Sequence, residues 1–202
     1  MNIAVLGAAG RTGSQVVEQA LAAGHSVTAL VRSPEKMAVS DPKLRVVRGD
    51  ATDPASVATA LEGADAVVST LDAPGGVIAD ATRAILGVAN GQQAPRVVMM
   101  SSFAVQRDRL TGPVKLISGL ASSAKWNDKA AGEKLLRASD LRWAIVYATP
   151  LSDGPRQGVK VMPESAKVRV SDRTSRADAA SFLLDAATTG DYDRRSVLIT
   201  GA

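Results

Sequence analysis

Residues 1–13 constrain the fold more than any other part of the chain. An apolar run over residues 3–6 leads into three glycines, and helical periodicity follows them. A buried strand that enters a glycine turn and a helix N-terminus forms an anion site, because backbone N–H groups and the helix dipole face the ligand. Glycine is required there because a Cβ would hold the backbone away from a phosphate or clash where helix and strand cross. An ordinary tight turn is the alternative, but the strand before and the helix after favour a dinucleotide site. The binding residues predicted in this turn are Gly7, Ala9, Gly10, Arg11, Thr12 and Gly13.

Strand and helix signals alternate along the rest of the chain. Further strands are predicted at residues 26–31, 44–48, 66–70, 96–100, 143–146 and 196–200. Helices are predicted near residues 54–62, 80–89, 128–138 and 175–188. Asp53-Pro54 and the Ser175-x-x-Asp178 box predict caps for two of these helices, and Ser33-Pro34 is a similar helix-start signal. This alternation predicts an α/β fold, a Rossmann-type doubly wound parallel sheet in a single domain over residues 1–202. We expect the strand order 3-2-1-4-5-6, followed by a short seventh strand.

Two segments interrupt the alternation, residues 103–125 and residues 150–170, and the first contains an apolar patch at Val114, Leu116 and Ile117. Both follow strand C-termini, where open α/β sheets bind their ligands. We therefore expect them to be loops that shape a substrate pocket or lid, with plain surface decoration as the alternative.

Composition excludes several classes of function. The chain has no cysteine and one histidine, which removes disulfides, thiolate chemistry and clustered-histidine metal sites, so no metal is expected. The net charge is +4, but basic residues are scattered and only 3% of residues are aromatic, which argues against nucleic acid. No apolar stretch reaches membrane-spanning length and no signal segment precedes the first strand, so we expect a cytoplasmic protein with no membrane partner.

The residue that ends the second predicted strand indicates which nicotinamide cofactor is used. NAD sites carry a carboxylate ~20 residues past the glycines, whereas NADP sites accept the 2′-phosphate with a cation. That position is Arg32, and Arg11 in the glycine turn supplies a second guanidinium. A solvent-exposed arginine at a strand end is the alternative, but the pair favours NADP(H) over NAD(H).

Five segments together resemble a known family, namely residues 7–13, 30–36, 46–53, 134–146 and 199–201. The chain is similar to the atypical short-chain dehydrogenase/reductases, and within them to the NAD(P)-binding, NmrA-like and flavin/biliverdin reductase branch. The resemblance implies that Asp50 and Ala51 lie by the adenine, and that Thr70 and Leu71 pass under the cofactor.

The same resemblance implies a catalytic pair. The family serine corresponds to Ser102, with Ser101 beside it, and the family lysine corresponds to Lys129. The usual proton donor is a tyrosine four residues before the lysine, and here that position is Lys125. We expect Ser102 and Lys129 to be catalytic and Ser101 and Lys129 to contact the cofactor. A solvated lysine face and a plain strand end are the alternatives, and Tyr147 either faces the pocket or packs.

These observations predict an NADPH-dependent oxidoreductase that transfers hydride to a small acceptor such as a flavin, a quinone or a carbonyl compound. The missing tyrosine also supports an alternative, a non-catalytic NmrA-like sensor that binds NADP(H). A sugar-nucleotide epimerase is disfavoured, because such relatives carry the tyrosine. The expected partner is a small-molecule acceptor, and the expected state is a monomer or homodimer.

Overall fold

The computed structural model describes residues 1–73, 75–89, 94–106, 109–110, 123–163, 165–169 and 171–202. The strands are β1 Asn2–Leu6, β2 Ser26–Val31, β3 Leu44–Arg48, β4 Ala66–Ser69, β5 Arg96–Ser102, β6 Trp143–Ala148, β7 Leu151–Ser152, β8 Val159–Met162, β9 Thr174–Ser175 and β10 Arg195–Gly201. The helices are α1 Arg11–Ala22, α2 Pro54–Leu61, α3 Val77–Val88, α4 Ser123–Arg137 and α5 Arg176–Thr189, with short 3-10 helices at Pro34–Lys36 and Phe103–Val105.

Eight strands form one sheet in the order β3-β2-β1-β4-β5-β6-β10-β8. Neighbouring strands from β3 to β10 are parallel, and the edge strand β8 runs antiparallel to β10. The predicted doubly wound parallel sheet is therefore confirmed, including the 3-2-1-4-5-6 order and the seventh strand, β10. The order reverses between β1 and β4, and this switch point is where such sheets bind ligands.

The inner strands of the sheet are apolar at successive positions rather than at alternate ones, and they are buried on both faces. In β1, Ile3 and Val5 join one core cluster, while Ala4 and Leu6 join the other. Helices α1 and α5 pack together on the first face, and α2, α3 and α4 form a layer on the second. Fixing β1 between two layers fixes the direction in which its C-terminal turn leaves the sheet.

The segment at residues 150–170 differs from the prediction, because it is not wholly a loop. It contains β7 and the edge strand β8, in which Met162 pairs with Leu198 and Val159 with Gly201. Its sequence, Val159-Lys160-Val161-Met162, has one polar residue among three apolar ones, and its two central residues are exposed, as suits an edge strand. This short pattern lies among glycines and prolines, so turn signals outweigh it in the sequence.

The described parts of the two predicted loop segments contact each other. Leu110 and Val168 form an isolated parallel bridge, and the Arg109 guanidinium donates to the carbonyls of Ala166 and Pro163. The apolar patch predicted within residues 111–122 lies outside the described residues. The sequence predicts helix α4 from residue 128, but the helix begins at Ser123, so Lys125 and Lys129 lie one turn apart on it.

Two predicted helix caps are present. The Asp53 carboxylate accepts from backbone N–H groups in the first turn of α2, and the Ser175 hydroxyl accepts from Asp178 N in α5. The Ser33-Pro34 signal is followed by a 3-10 turn rather than an α-helix. Among the described residues, no helix is long and apolar enough to cross a membrane.

Candidate functional site

A cleft of about 510 Å³ lies at the C-terminal edge of the sheet, over the switch point. Most of the residues predicted to bind a cofactor line it: Gly7, Ala9, Gly10, Arg11, Thr12, Arg32, Asp50, Ala51, Thr70 and Leu71. Four other predicted residues, Gly13, Ser101, Ser102 and Lys129, are described but do not line the cleft. Apart from Gly13, the predicted residues of the glycine turn and of the ends of β2, β3 and β4 thus line the cleft, whereas those of β5 and α4 do not.

The glycine turn is built so closely that two of its positions exclude a side chain. Gly7 has a φ of +82°, a left-handed conformation, and a Cβ there would lie 2.9 Å from Thr70 Oγ1. A Cβ on Gly13 would lie 2.1 Å from the Gly7 carbonyl oxygen, closer than any real contact. Gly13 thus permits the crossing of α1 over β1, while Gly10 faces the cleft. The turn itself is closed by a 2.9 Å hydrogen bond from Gly10 N to Gly7 O.

Thr70 links the end of β4 to this turn. Its hydroxyl donates to the carbonyl oxygens of Leu6 and Gly7, at 3.2 and 3.3 Å. The side chain is buried, so these bonds fix the floor of the cleft below the glycine turn. Leu71 and Asp72 continue this floor along the cleft.

The end of β2 gives the cleft a basic wall, formed by Arg32, Ser33 and Lys36. Asp50 also lines the cleft, and its carboxylate accepts from both the N–H and the hydroxyl of Thr52, at 2.8 Å each. These hydrogen bonds, together with the nearby charge of Arg32, hold the pKa of Asp50 below its usual range. Asp50 is therefore anionic at neutral pH and faces the cleft beside a cation.

Lys129 is buried, with only 3% of its side chain exposed. Its ammonium group donates to Leu71 O and lies 3.3 Å from Asp72 Oδ1. Lys125 reaches the other carboxylate oxygen of Asp72 at 2.8 Å. Burial lowers the pKa of Lys129, and the charge of Asp72 opposes this shift without cancelling it. The predicted family lysine is therefore held behind the cleft wall, and Asp72 separates it from the open space.

Burial also tends to raise the pKa of Asp72. The hydrogen bond from Lys125 and the charges of Lys125 and Lys129 outweigh that effect, so the pKa of Asp72 is lowered overall. One carboxylate thus pairs with two lysines and reduces their mutual repulsion across a helical turn.

Ser101 and Tyr147 belong to a buried polar network that the sequence does not predict. Ser101 Oγ donates to Glu133 Oε1 at 2.6 Å, and the Tyr147 hydroxyl donates to Glu133 Oε2. Arg137 donates to the Tyr147 oxygen at 2.7 Å. Burial and the charge of Glu133 raise the pKa of Tyr147 to about 12, so it is a poor proton donor near neutral pH. Of the two sequence alternatives for Tyr147, the structure favours packing over a position in the cleft.

Ser102 ends β5 and is half-buried. Its hydroxyl accepts a hydrogen bond from Ala104 N at 3.3 Å and so caps the short helix that follows. Among the described residues, no hydrogen bond joins Ser102 to Lys129, so the structure does not connect the expected catalytic pair directly.

Sequence reasoning missed Arg176, which lines the cleft from the first residue of α5. Its side chain is 12% exposed, and its guanidinium lies 2.6 Å from the carboxylate of Asp153. The same carboxylate lies 3.9 Å from Arg11 in the glycine turn. A cation directly after a capping serine is the signal that could have identified it, because the helix dipole disfavours a positive charge there.

The cleft fits a dinucleotide. A side chain at Gly7 or Gly13 would destroy the turn, which leaves bare backbone at the start of α1 for a diphosphate. Arg32, Ser33 and Lys36 supply donors for a phosphorylated ribose. A parallel sheet with this turn at its switch point defines a dinucleotide-binding protein of the Rossmann class.

Comparison with known families agrees with this class. A family described as NAD(P)H-binding matches residues 7–189. The chain belongs to this NAD(P)H-binding family, and the cofactor class predicted from the glycine turn is confirmed.

The chain spans about half to two thirds of the length of the curated relatives it matches. An isoflavone reductase homolog from Zea mays is 32% identical over 141 residues, which are 64% of this chain and 45% of that protein. The photosystem II assembly factor Ycf39 from Cyanophora paradoxa is 25% identical over 218 residues, which cover 100% of this chain and 64% of that protein.

Solved structures share the fold over nearly the whole chain. A short-chain dehydrogenase/reductase from Veillonella parvula, in complex with NADP, has a TM-score of 0.80 at 19% identity and covers 98% of this chain and 93% of that one. ChuY, an anaerobillin reductase from Escherichia coli O157:H7, has a TM-score of 0.82 at 22% identity, with 98% and 96% covered. A putative NADH-flavin reductase from Streptococcus pneumoniae has a TM-score of 0.79 at 22% identity, with 100% of both chains covered. The fold that the resemblance implies is thus confirmed, and the family match confirms NAD(P)H binding.

Proposed function

We propose that the protein is an NADPH-dependent reductase that transfers hydride to a small acceptor such as a flavin, a quinone or a carbonyl compound. The observation that carries this proposal is the basic wall of Arg32, Ser33 and Lys36, in the same cleft as the glycine turn. A guanidinium and an ammonium group at this wall favour a 2′-phosphate over free ribose hydroxyls.

The chain would hold the cofactor with groups at two ends of the cleft. The backbone of the glycine turn would accept the diphosphate, and Arg32 with Lys36 would bind the 2′-phosphate. Asp50 and Ala51 would border the adenine. When bound, NADPH supplies the hydride, while the protein orients it and excludes water.

The groups near the reacting end favour an acceptor that needs little proton donation from the protein. Lys125 occupies the usual tyrosine position and is paired with Asp72. Tyr147 has its pKa raised to about 12 and donates to Glu133. A flavin or quinone-like ring distributes charge after hydride transfer, whereas a simple ketone requires a proton at the developing alkoxide. The names of an isoflavone reductase homolog, a putative NADH-flavin reductase and an anaerobillin reductase among similar proteins support reductase chemistry.

A second candidate function is a non-catalytic NADP(H) sensor of the NmrA-like type. The observation that favours it is that the expected catalytic groups already have internal partners. The Ser102 hydroxyl caps the following turn, and the Lys129 ammonium group is bound to Leu71 and Asp72. A sensor requires the cofactor cleft but no proton donor beside it.

One experiment separates the two functions. NADPH oxidation would be followed with a panel of flavins, quinones and carbonyl compounds, and the affinities for NADPH and NADP would be measured by calorimetry. Turnover of any acceptor at an enzymatic rate supports the reductase. Tight binding that distinguishes NADPH from NADP, without turnover of any acceptor, supports the sensor. Weak binding of both forms would contradict both candidates.

A further inference from the structure

Arg176 is a nearly buried cation that opens into the cofactor cleft. It is the first residue of α5, where the positive end of the helix dipole makes a cation unfavourable. Its side chain is 12% exposed, so it is also largely withdrawn from water. Both costs fall when an anion lies beside the guanidinium, and the cleft is the open space next to it.

The anion beside Arg176 in the structure is Asp153, which lies between two arginines. Asp153 Oδ1 is 2.6 Å from Arg176 Nη1, and Oδ2 is 3.9 Å from Arg11 Nη1. Arg11 begins α1 directly after the glycine turn, so both guanidinium groups lie at the end of the cleft suited to a diphosphate. The sequence predicts Arg11 beside the 2′-phosphate with Arg32, but its contact with Asp153 places it with Arg176 instead. The Asp153 side chain is 77% exposed, and ion pairs with such an exposed partner are weak. Asp153 is therefore an exchangeable partner.

Arg176, by contrast, is fixed by the fold. It follows β9, which pairs with β7, and the Ser175 hydroxyl caps its helix. The buried Asp178 carboxylate lies two residues further along the helix, and it accepts from the backbone N–H groups of Gln157 and Gly158 at 2.9 and 2.7 Å. These bonds anchor the segment that follows Asp153 to the same helical turn. The arginine stays at the cleft while the aspartate can yield its position.

We propose that Arg176 binds the diphosphate of the dinucleotide and that Asp153 is its internal competitor. The Asp153 carboxylate lies between Arg176 and Arg11, and a phosphate oxygen that took its place would be stabilised by the same two guanidinium groups. The inference rests on the proposed binding of NADPH, and it adds a residue outside the glycine turn to that site. Because NADPH and NADH share the diphosphate, Arg176 contributes equally to both, whereas Arg32 discriminates between them.

The test is calorimetric titration of folded variants with NADPH and with NADH. Arg176→Ala is expected to raise the Kd of both dinucleotides by about tenfold or more, the scale of a lost charged hydrogen bond. Arg156→Ala is the matched control, since Arg156 is exposed on the segment that follows Asp153, donates to Ser181 and does not line the cleft. It should leave both Kd values unchanged. If Arg176→Ala left both Kd values unchanged while Arg32→Ala raised that of NADPH, the assignment of Arg176 would be wrong but the cofactor site would stand.

Asp153→Asn supplies an independent test, because a change at so exposed a side chain leaves the fold intact. It should lower both Kd values by roughly threefold, the scale of a weak exposed ion pair. That gain should shrink in the Arg176→Ala background, since the competitor would have lost its main partner. Weaker binding by Asp153→Asn would overturn the competitor role.

Unchanged dinucleotide binding in Arg176→Ala, with a raised KM for a carboxylate-bearing acceptor, would assign the arginine to the acceptor instead. Failure of the unmodified protein to bind either dinucleotide would overturn the proposed function itself.

Discussion

Lys129 and Asp72 form an ion pair that ties α4 to the floor of the cofactor cleft. The ammonium nitrogen lies 3.3 Å from Oδ1, with 3% of the lysine side chain and 50% of the aspartate side chain exposed. The carboxylate is therefore the group of this pair that meets the cleft, and the lysine supports it from behind. Lys129, which the resemblance places at the family lysine position, thus contacts Leu71 and Asp72 in the cleft floor without itself lining the cleft.

This pair should make stability depend on pH. The pKa of Asp72 is lowered in the folded state, because its lysine partners outweigh the effect of burial. Stability from this group is therefore present above its unfolded pKa of about 4 and is lost as the pH falls through the lower folded value. Asp72→Asn should cost roughly 1 kcal/mol in the free energy of unfolding near neutral pH, since the carboxylate is half exposed. Urea unfolding at several pH values would measure both effects.

The control for that experiment is Asp140→Asn, because Asp140 is fully exposed and its ion pair with Arg194 is long, at 3.8 Å. This variant should show the same pH dependence of stability as the wild-type protein. An Asp72→Asn variant that lost as much stability in acid as the wild type would show that the Lys129–Asp72 pair does not set this dependence.

Arg32→Ala should change cofactor preference. Loss of a charged contact to the 2′-phosphate should weaken NADPH by roughly 1.5–3 kcal/mol and leave NADH unaffected. Calorimetric affinities for both cofactors would measure this. Arg45→Ala is the control, because Arg45 lies on the edge strand β3, contacts Thr59 O and does not line the cleft. Equal losses for NADPH and NADH in Arg32→Ala would contradict selection of the phosphate.

Gly10 and Gly13 should respond differently to substitution, although both belong to one motif. Gly10→Val should abolish cofactor binding with the fold kept, because Gly10 is exposed in the cleft and its φ of −79° suits any residue. Its Cβ would meet only the Gly7 carbonyl oxygen, at 3.1 Å, which a small shift of the turn relieves. Gly13→Ala should lower stability itself, because its Cβ would lie 2.1 Å from Gly7 O. Circular dichroism and cofactor titration separate the two effects.

Gly87→Ala serves as the control for the glycine substitutions. Gly87 lies in α3 with nothing near the position of a Cβ, so alanine should stabilise the helix by up to about 1 kcal/mol. Normal cofactor affinity in Gly10→Val would contradict the position assigned to the glycine turn.

Local signals in the sequence were sufficient to identify the residues that line the cleft around the glycine turn. The strand, glycine turn and helix that hold Gly7 and Gly13 are consecutive in the chain, so their contacts follow from a short pattern. The end of β2 is equally local, and Arg32 lines the cleft as the spacing predicts. The strand order follows from alternation, from crossover handedness and from the glycine turn after β1, which is typical of the 3-2-1-4-5-6 order.

Contacts between distant segments were not predictable in the same way. Ser101 meets Tyr147 because β5 and β6 pair in one particular register, and Glu133 reaches both from α4. Arg176 approaches the glycine turn because α5 packs on α1, which no local pattern encodes. A buried carboxylate or arginine in an amphipathic helix has the same sequence signal as a solvated one.

Tyr147→Phe tests the buried network. Its folded pKa of about 12 lies above the unfolded value of 10.0, so its contribution to stability is full below the unfolded value and is lost as the pH rises through about 12. The substitution should cost roughly 1–2 kcal/mol near neutral pH, because Glu133 loses a donor but keeps Ser101 and Arg137. Alkaline titration of tyrosinate absorbance should lose its highest step in this variant. A highest step that persisted would belong to Tyr192 instead.

Ser102→Ala and Lys129→Met test how catalysis proceeds without the usual tyrosine. If both groups act by orienting the nicotinamide and the acceptor, each substitution should reduce kcat/KM only modestly with a good acceptor. A lost general acid typically costs about a hundredfold or more, whereas a loosened orienting contact often costs less. Burial lowers the pKa of Lys129, and Asp72 only partly restores it, so the lysine releases a proton more readily than an exposed lysine would.

The pH profile distinguishes these roles. An orienting Lys129 predicts no steep essential-acid limb near neutral pH, and Lys129→Met should then change KM for the acceptor or cofactor more than kcat. A loss of several thousandfold in kcat, with folding and NADPH affinity intact, would instead identify Lys129 as the proton donor. Its ammonium group would then have to leave Asp72 and Leu71 during turnover, and Asp72→Asn should in that case shift the limb of the profile to lower pH by removing the anion that raises the lysine pKa.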